Sequence, residues 1–113
     1  MVSTNLLIRA DEAADFLTVV GSPHRLLILL QLRTGAEVSV NALAEHLQIP
    51  QPLLSMHLRT LRRLRLVQTR RDSQRVYYSC NSSRVWALFS FLEEFYGEGD
   101  SEAEMRSAPA AAS

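Results

Sequence analysis

Pro52 decides where one helix of this chain must begin. Proline has no N–H to donate and its ring crowds the preceding turn, so a helix tolerates it only near its start. The run from Gln51 to Leu64 otherwise carries apolar residues at helical spacing, which predicts a helix starting close to Gln51. Immediately before it, Val40 to Leu47 reads as another short helix, with only Gln48 to Pro50 between the two. Two short helices across a tight turn make a helix-turn-helix.

The flanking segments set the architecture around that motif. Leu6, Ala10, Ala13, Leu17 and Val20 recur at helical spacing over residues 6–20, predicting a first amphipathic helix closed by Gly21. Ser22 and Pro23 suit the cap and first position of a second helix, running to about Thr34 before Gly35. Its block Leu26 to Leu30 is apolar nearly all round, so Leu26 to Leu32 is the expected core. After the helix-turn-helix, the β-prone runs Leu66 to Arg70 and Arg75 to Cys80 flank the polar Arg71 to Gln74, predicting a hairpin with a charged tip. Residues 83–96 form a last helix with Val85, Leu88, Phe89, Leu92, Phe95 and Tyr96 on one stripe, widened by Trp86 and Phe91. That stripe is broader than a small core needs.

The expected fold is therefore mainly α, of the α+β class. It is a winged helix-turn-helix of order α-α-α-α-β-β-α, occupying residues 1–96 as one domain. At 113 residues the chain has one core's worth of apolar material. The acidic, alanine-rich stretch 97–113 is expected to be a disordered tail.

Formal net charge is zero, but the average hides an asymmetry. From Arg59 to Arg84 there are eight arginines against one acid, Asp72, whereas from Glu93 onward six acids face the single Arg106. The chain contains no lysine, so each basic side chain is a guanidinium suited to planar contacts with phosphate and guanine. With Leu54 set at zero and about 100° per residue, Leu58 and Leu61 fall within about 40° of it, while Ser55, Met56, Arg59 and Arg63 cluster between about 100° and 200°. One face of that helix is buried and the other presented.

In a helix-turn-helix the presented face of the second helix lies in the major groove. Gln51 and Ser55 would meet base edges or bridging water, with Arg59 at guanine or a phosphate and Met56 on the same DNA-facing side. Arg62, Arg63 and Arg65 would meet the backbone, and His57 would pack near the turn or touch a phosphate. Arg70, Arg71, Gln74 and Arg75 surround the hairpin tip, from which a wing reaches phosphates or the minor groove. Two plainer readings stand beside these: a solvated arginine face on the helix, and a charged tip that keeps a sheet edge from pairing.

The chain resembles the ArsR/SmtB family of bacterial winged-helix repressors over about residues 10–96. The matching stretches are Gly21 to Arg25 with Leu26 to Leu29, Leu43-Ala44, Ser55 to Leu58 followed by Leu61-Arg62, Leu66-Val67, and Arg71 with Val76 to Tyr78. The stretch Thr69 to Ser79 looks most like the branch that contains the NolR, HlyU and BigR regulators. The resemblance implies a homodimer formed through the first and last helices, through Leu6, Ala10, Ala13, Leu17, Val85, Leu88, Phe89, Leu92, Phe95 and Tyr96. It also implies a double-stranded DNA operator with an inverted repeat. The family's serine cap before the recognition helix is replaced here by Pro50.

The family's sensing sites find no residues to build them. The third-helix region Glu37 to Leu43 has no cysteine, the last helix has no histidine, and Leu30 and Gly97 stand where sulfur-sensing relatives carry cysteines. No metal and no cofactor is expected, and a small-molecule effector stays unassigned. Cys80, the only cysteine, reads as a small buried residue, with a redox-sensing thiol as the alternative. A lone cysteine suits a reducing cytoplasm, and no segment resembles a targeting signal or a membrane span. The four dispersed glycines form no phosphate loop and no nucleophile stands beside a base, so the chain is not expected to be an enzyme. The competing class is a winged-helix module that binds protein; arginines on the recognition helix and wing favour DNA.

Overall fold

The computed structural model describes residues 1–97. Its elements run α1 (Thr4–Ile8), α2 (Ala10–Val20), α3 (Pro23–Gln31), β1 (Val38–Ser39), α4 (Val40–Leu47), α5 (Gln51–Arg63), β2 (Gln68–Asp72), β3 (Arg75–Ser79) and α6 (Ser83–Tyr96). The chain divides into two compact units, Met1–Ser82 and a second that begins at Ser83. The predicted tail beyond residue 97 lies outside the described residues.

Serines start three of the helices. Ser3, Ser22 and Ser39 each accept a hydrogen bond through Oγ from a backbone N–H in the first turn, of Leu6, Arg25 and Ala42 respectively. Each satisfies an N–H that has no partner within its helix. The first predicted helix is broken at Arg9 (φ −98°, ψ 20°) into α1 and α2. Arg9 N–H still donates to the Asn5 carbonyl at 3.0 Å, so the chain changes direction without losing that bond. α1 buries no residue, and no core contact holds it in line with α2.

α3 is one-sided rather than buried all round. Ile28, Leu29 and Leu32 are fully buried, but Leu27 is 47% exposed. α2, α4 and α5 pack against α3, and its nine residues leave the remaining arc to solvent. α3 also ends three residues before Thr34; Gly35, at φ +81°, then turns the chain toward β1.

The sheet has three antiparallel strands in the order β1-β3-β2. β1, absent from the expected order, pairs Val38 with Tyr78 and Ser39 with Tyr77. Two residues are too few to show a strand's alternation. In the hairpin Asp72 pairs with Arg75, so the turn is only Ser73 and Gln74, with Ser73 at φ 57°. Arg71 and Asp72 thus belong to β2, while Leu66 and Val67 precede it and are buried.

Leu43 of α4, Leu54, Leu58 and Leu61 of α5, and Leu66 complete the core with the α3 residues. Each full burial contributes about 1.5–3 kcal/mol. α6 carries two ring contacts of its own, Trp86 edge-on to Phe89 at 6.0 Å and Phe91 tilted on Phe95 at 4.9 Å. Among the described residues no single helix is long and apolar enough to cross a membrane.

Candidate nucleic-acid interface

The turn between α4 and α5 is made without glycine. Gln48 takes the left-handed conformation (φ 54°), and Ile49 N–H returns to the Ala44 carbonyl at 3.1 Å as its side chain enters the core. Pro50 then occupies the cap position of α5. It offers no side-chain cap, but its carbonyl accepts from Leu54 N–H at 2.9 Å, so the helix starts at Gln51. This is the start that Pro52 predicts.

Leu54, His57, Leu58 and Leu61 turn inward from α5, and Gln51, Ser55, Met56, Arg59, Arg62 and Arg63 remain exposed. A groove of about 770 Å³ runs between this face and the wing. Gln51, Ser55 and Arg62 line it from α5; Arg71, Gln74 and Arg75 line it from the hairpin. The structure thus brings the two expected sets together. Arg59, Arg62 and Arg63 also border a second hollow with Thr60.

Arg59, Arg62, Arg71 and Arg75 have no carboxylate partner among the described residues, whereas Arg63 and Arg70 do. Arg63 Nη1 lies 3.3 Å from Asp15 of α2. Arg70 donates to both oxygens of Glu37 at 2.8 and 2.9 Å and stacks over the Tyr77 ring at 4.9 Å. The hydrogen bonds from Arg70 hold the Glu37 carboxyl below its ordinary range. Arg70 is therefore a strut between the wing and the segment before β1, and its charge is largely answered within the chain.

His57 does not reach the surface. It is 7% exposed, with Arg25 Nη1 3.1 Å from its Nδ1 and His24 Nδ1 3.3 Å from its Nε2. Burial first, and then the neighbouring Arg25, keep its pKa below 6.5. The expectation that it touches a phosphate is corrected: it is a packed, hydrogen-bonded link between α3 and α5.

The residues assigned to subunit contact divide as well. Leu6 and Leu17 are 50% and 60% exposed, Phe95 and Tyr96 39% and 76%. Ala10 is exposed, and Ala13, Leu88, Phe89 and Leu92 are half-buried. Val85 is fully buried within the protomer and has no surface left to offer a partner, which removes it from that set. The Cys80 thiol is buried too, and burial pushes its pKa up, the reverse of what a reactive thiolate needs. Among the described residues no group of three or more His, Cys, Asp or Glu is placed to hold a metal.

Asn41, Glu45 and Thr69 also line the groove and were not singled out from sequence. Asn41 accepts a hydrogen bond at Oδ1 from Gln51 Nε2, across the turn. Its only sequence signal is its place two residues after the capping Ser39.

Residues 22–69 match the family model described as bacterial regulatory protein, arsR family. The nodulation protein NolR of Rhizobium meliloti is 44% identical over 79% of this chain and 72% of its own length. The chain belongs to the ArsR family. The transcriptional activator HlyU of Vibrio cholerae is 38% identical over 75% of this chain and 78% of its own. The crystal structure of NolR from Sinorhizobium fredii superposes with a TM-score of 0.77 at 42% identity, covering 86% of this chain and 96% of that one. A homodimeric winged helix-turn-helix DNA-binding domain from Mycobacterium bovis superposes with a TM-score of 0.68 at 27% identity, covering 82% and 85%. The fold is the winged helix-turn-helix, and this ArsR-family member is a transcriptional regulator, not an enzyme.

Proposed function

We propose that this ArsR-family protein is a homodimeric repressor that binds an inverted-repeat DNA operator in the cytoplasm. The observation that carries the reading is the groove between α5 and the wing, whose arginines 62, 71 and 75 have no carboxylate partner, with Arg59 likewise unpaired on the same helix face. Unanswered guanidinium charge on two converging elements attracts a polyanion, and each phosphate neutralised releases condensed counterions.

Gln51, Ser55, Met56 and Arg59 face base edges in this reading; Arg62, Arg63, Arg71, Gln74 and Arg75 meet the backbone or the minor groove. Arg70 acts indirectly, by holding the wing. The exposed Leu6, Leu17, Phe95 and Tyr96 would be covered by a second copy, and a two-fold dimer sets its recognition helices about one duplex turn apart.

The test is selection from random duplex DNA by the purified protein at about 150 mM salt, where non-specific attraction is weakened. A two-fold-symmetric motif with half-sites about 10 base pairs apart is expected. Failure to enrich any motif would reject the reading as stated, in favour of a protein-binding module or of a repressor that binds DNA only with a ligand.

A further inference from the structure

We propose that Asn41 is a positioning residue that orients the Gln51 amide to read adenine, an inference that rests on the DNA-binding reading above. The two side chains come from the two helices of the motif: Asn41 from the first turn of α4, Gln51 from the first position of α5. Both border the groove, and Gln51 Nε2 donates to Asn41 Oδ1. The Ser39 cap on Ala42 N–H, at 3.1 Å, holds the α4 turn that carries Asn41.

A primary amide has two N–H donors and one carbonyl acceptor. With one Nε2 hydrogen committed to Asn41, Gln51 retains one N–H and its Oε1. That donor-acceptor pair matches adenine in the major groove, where N7 accepts and the N6 amino group donates. Guanine presents two acceptors, O6 and N7, and would need both Nε2 hydrogens. Flipping the Gln51 amide alone would set its Oε1 against Asn41 Oδ1, acceptor against acceptor, so offering another base the opposite pattern requires both amides to turn together. Asn41 thus turns an adaptable side chain into a selective one without itself contacting the base.

The experiment is selection from a randomised 24-base-pair duplex library with the full chain and its Asn41→Ala, Asn41→Asp and Gln51→Ala variants, alongside thermal unfolding of each protein. The wild type is expected to require adenine at one position in each half-site, and Gln51→Ala to lose that preference alone. Asn41→Ala should lower the adenine-over-guanine ratio there by about five- to tenfold, the lower end of what one bidentate base contact discriminates, because Gln51 itself is kept. Other positions and the unfolding midpoint should stay unchanged. Asn41→Asp keeps the acceptor, so it should preserve the ratio while its negative charge weakens all sequences evenly. An unchanged ratio in Asn41→Ala, or an equal loss across every position, would overturn the proposal. No motif from the wild type would instead overturn the DNA-binding reading beneath it.

Discussion

Arg25 sets the tautomer of His57. A guanidinium can only donate, so Nδ1 of His57, 3.1 Å from Arg25 Nη1, must accept. The ring hydrogen then sits on Nε2 and points to His24 Nδ1 at 3.3 Å. Arg25 Nε also donates to the Val19 carbonyl at 2.6 Å, so this chain of bonds joins the end of α2, the start of α3 and the middle of α5.

A neutral ring is built into the fold, and stability should follow. In the unfolded chain His57 takes up a proton as pH falls through about 6.5, while in the folded protein burial and the Arg25 charge hold it neutral to lower pH. The unfolded state therefore binds more protons in that window, so stability is full above about 6.5 and declines as pH falls toward the folded pKa. The urea midpoint of the wild type should drop more between pH 7.5 and 5.5 than that of His57→Gln, which retains an acceptor but does not titrate. His57→Ala leaves a half-buried Arg25 donor without that acceptor and opens a gap at a buried position, and should cost about 1–3 kcal/mol at pH 7.5. Parallel pH curves for wild type and His57→Gln would refute the assignment.

The two adjacent wing arginines should behave differently. Arg71 is unpaired in the groove, so Arg71→Ala should weaken all DNA sequences similarly and reduce the slope of log affinity against log salt by about 1. Arg70 is already held by Glu37, so Arg70→Ala should change that slope by clearly less. Salt titrations of both variants on one duplex check this, and equal slope changes would show that the Glu37 pair opens on DNA.

Much of this architecture was legible because local chemistry marks it. α4 spans the predicted 40–47, with Ser39 as its cap, and Pro52 located the start of α5 despite the missing capping serine. The signal for His57 was present in the spacing: three residues after Leu54 it falls about 60° from the centre of the buried arc, on the inner side. Sequence left packing near the turn and a phosphate contact both open, because the partner that lets the ring be buried, Arg25, lies 32 residues earlier. The Glu37–Arg70 pair joins residues 33 apart, and β1 exists only because β3 pairs with it; neither follows from any local pattern. The exposure of Leu27 depends on which side of α3 its neighbours cover, which composition does not encode.

Cys80 should be silent as a redox sensor. Its thiol is fully buried and its pKa raised by that burial, so the thiolate that attacks disulfides and peroxides is scarce. An aromatic disulfide reagent should label it slowly in the native protein and rapidly in urea. DNA binding should be unchanged after mild oxidation; loss of binding that a thiol reductant restores would establish the redox alternative.

Leu17 offers the cleanest test of self-association. It is 60% exposed in the protomer, so a charged replacement stays hydrated in the monomer and should change its stability by no more than about 0.5 kcal/mol. In a dimer formed through this helix the same carboxylate would lose water without gaining a partner, at a cost of several kcal/mol. Phe89 is a poorer choice because it is half-buried and packs edge-on to Trp86 at 6.0 Å, so its loss would perturb the protomer itself. Leu17→Glu should therefore sediment as a monomer with native helix content. Separation of the half-site readers removes the gain from simultaneous engagement, and operator affinity should fall by about 10²–10⁴. A dimer that persists in Leu17→Glu would place the subunit contact elsewhere on the chain.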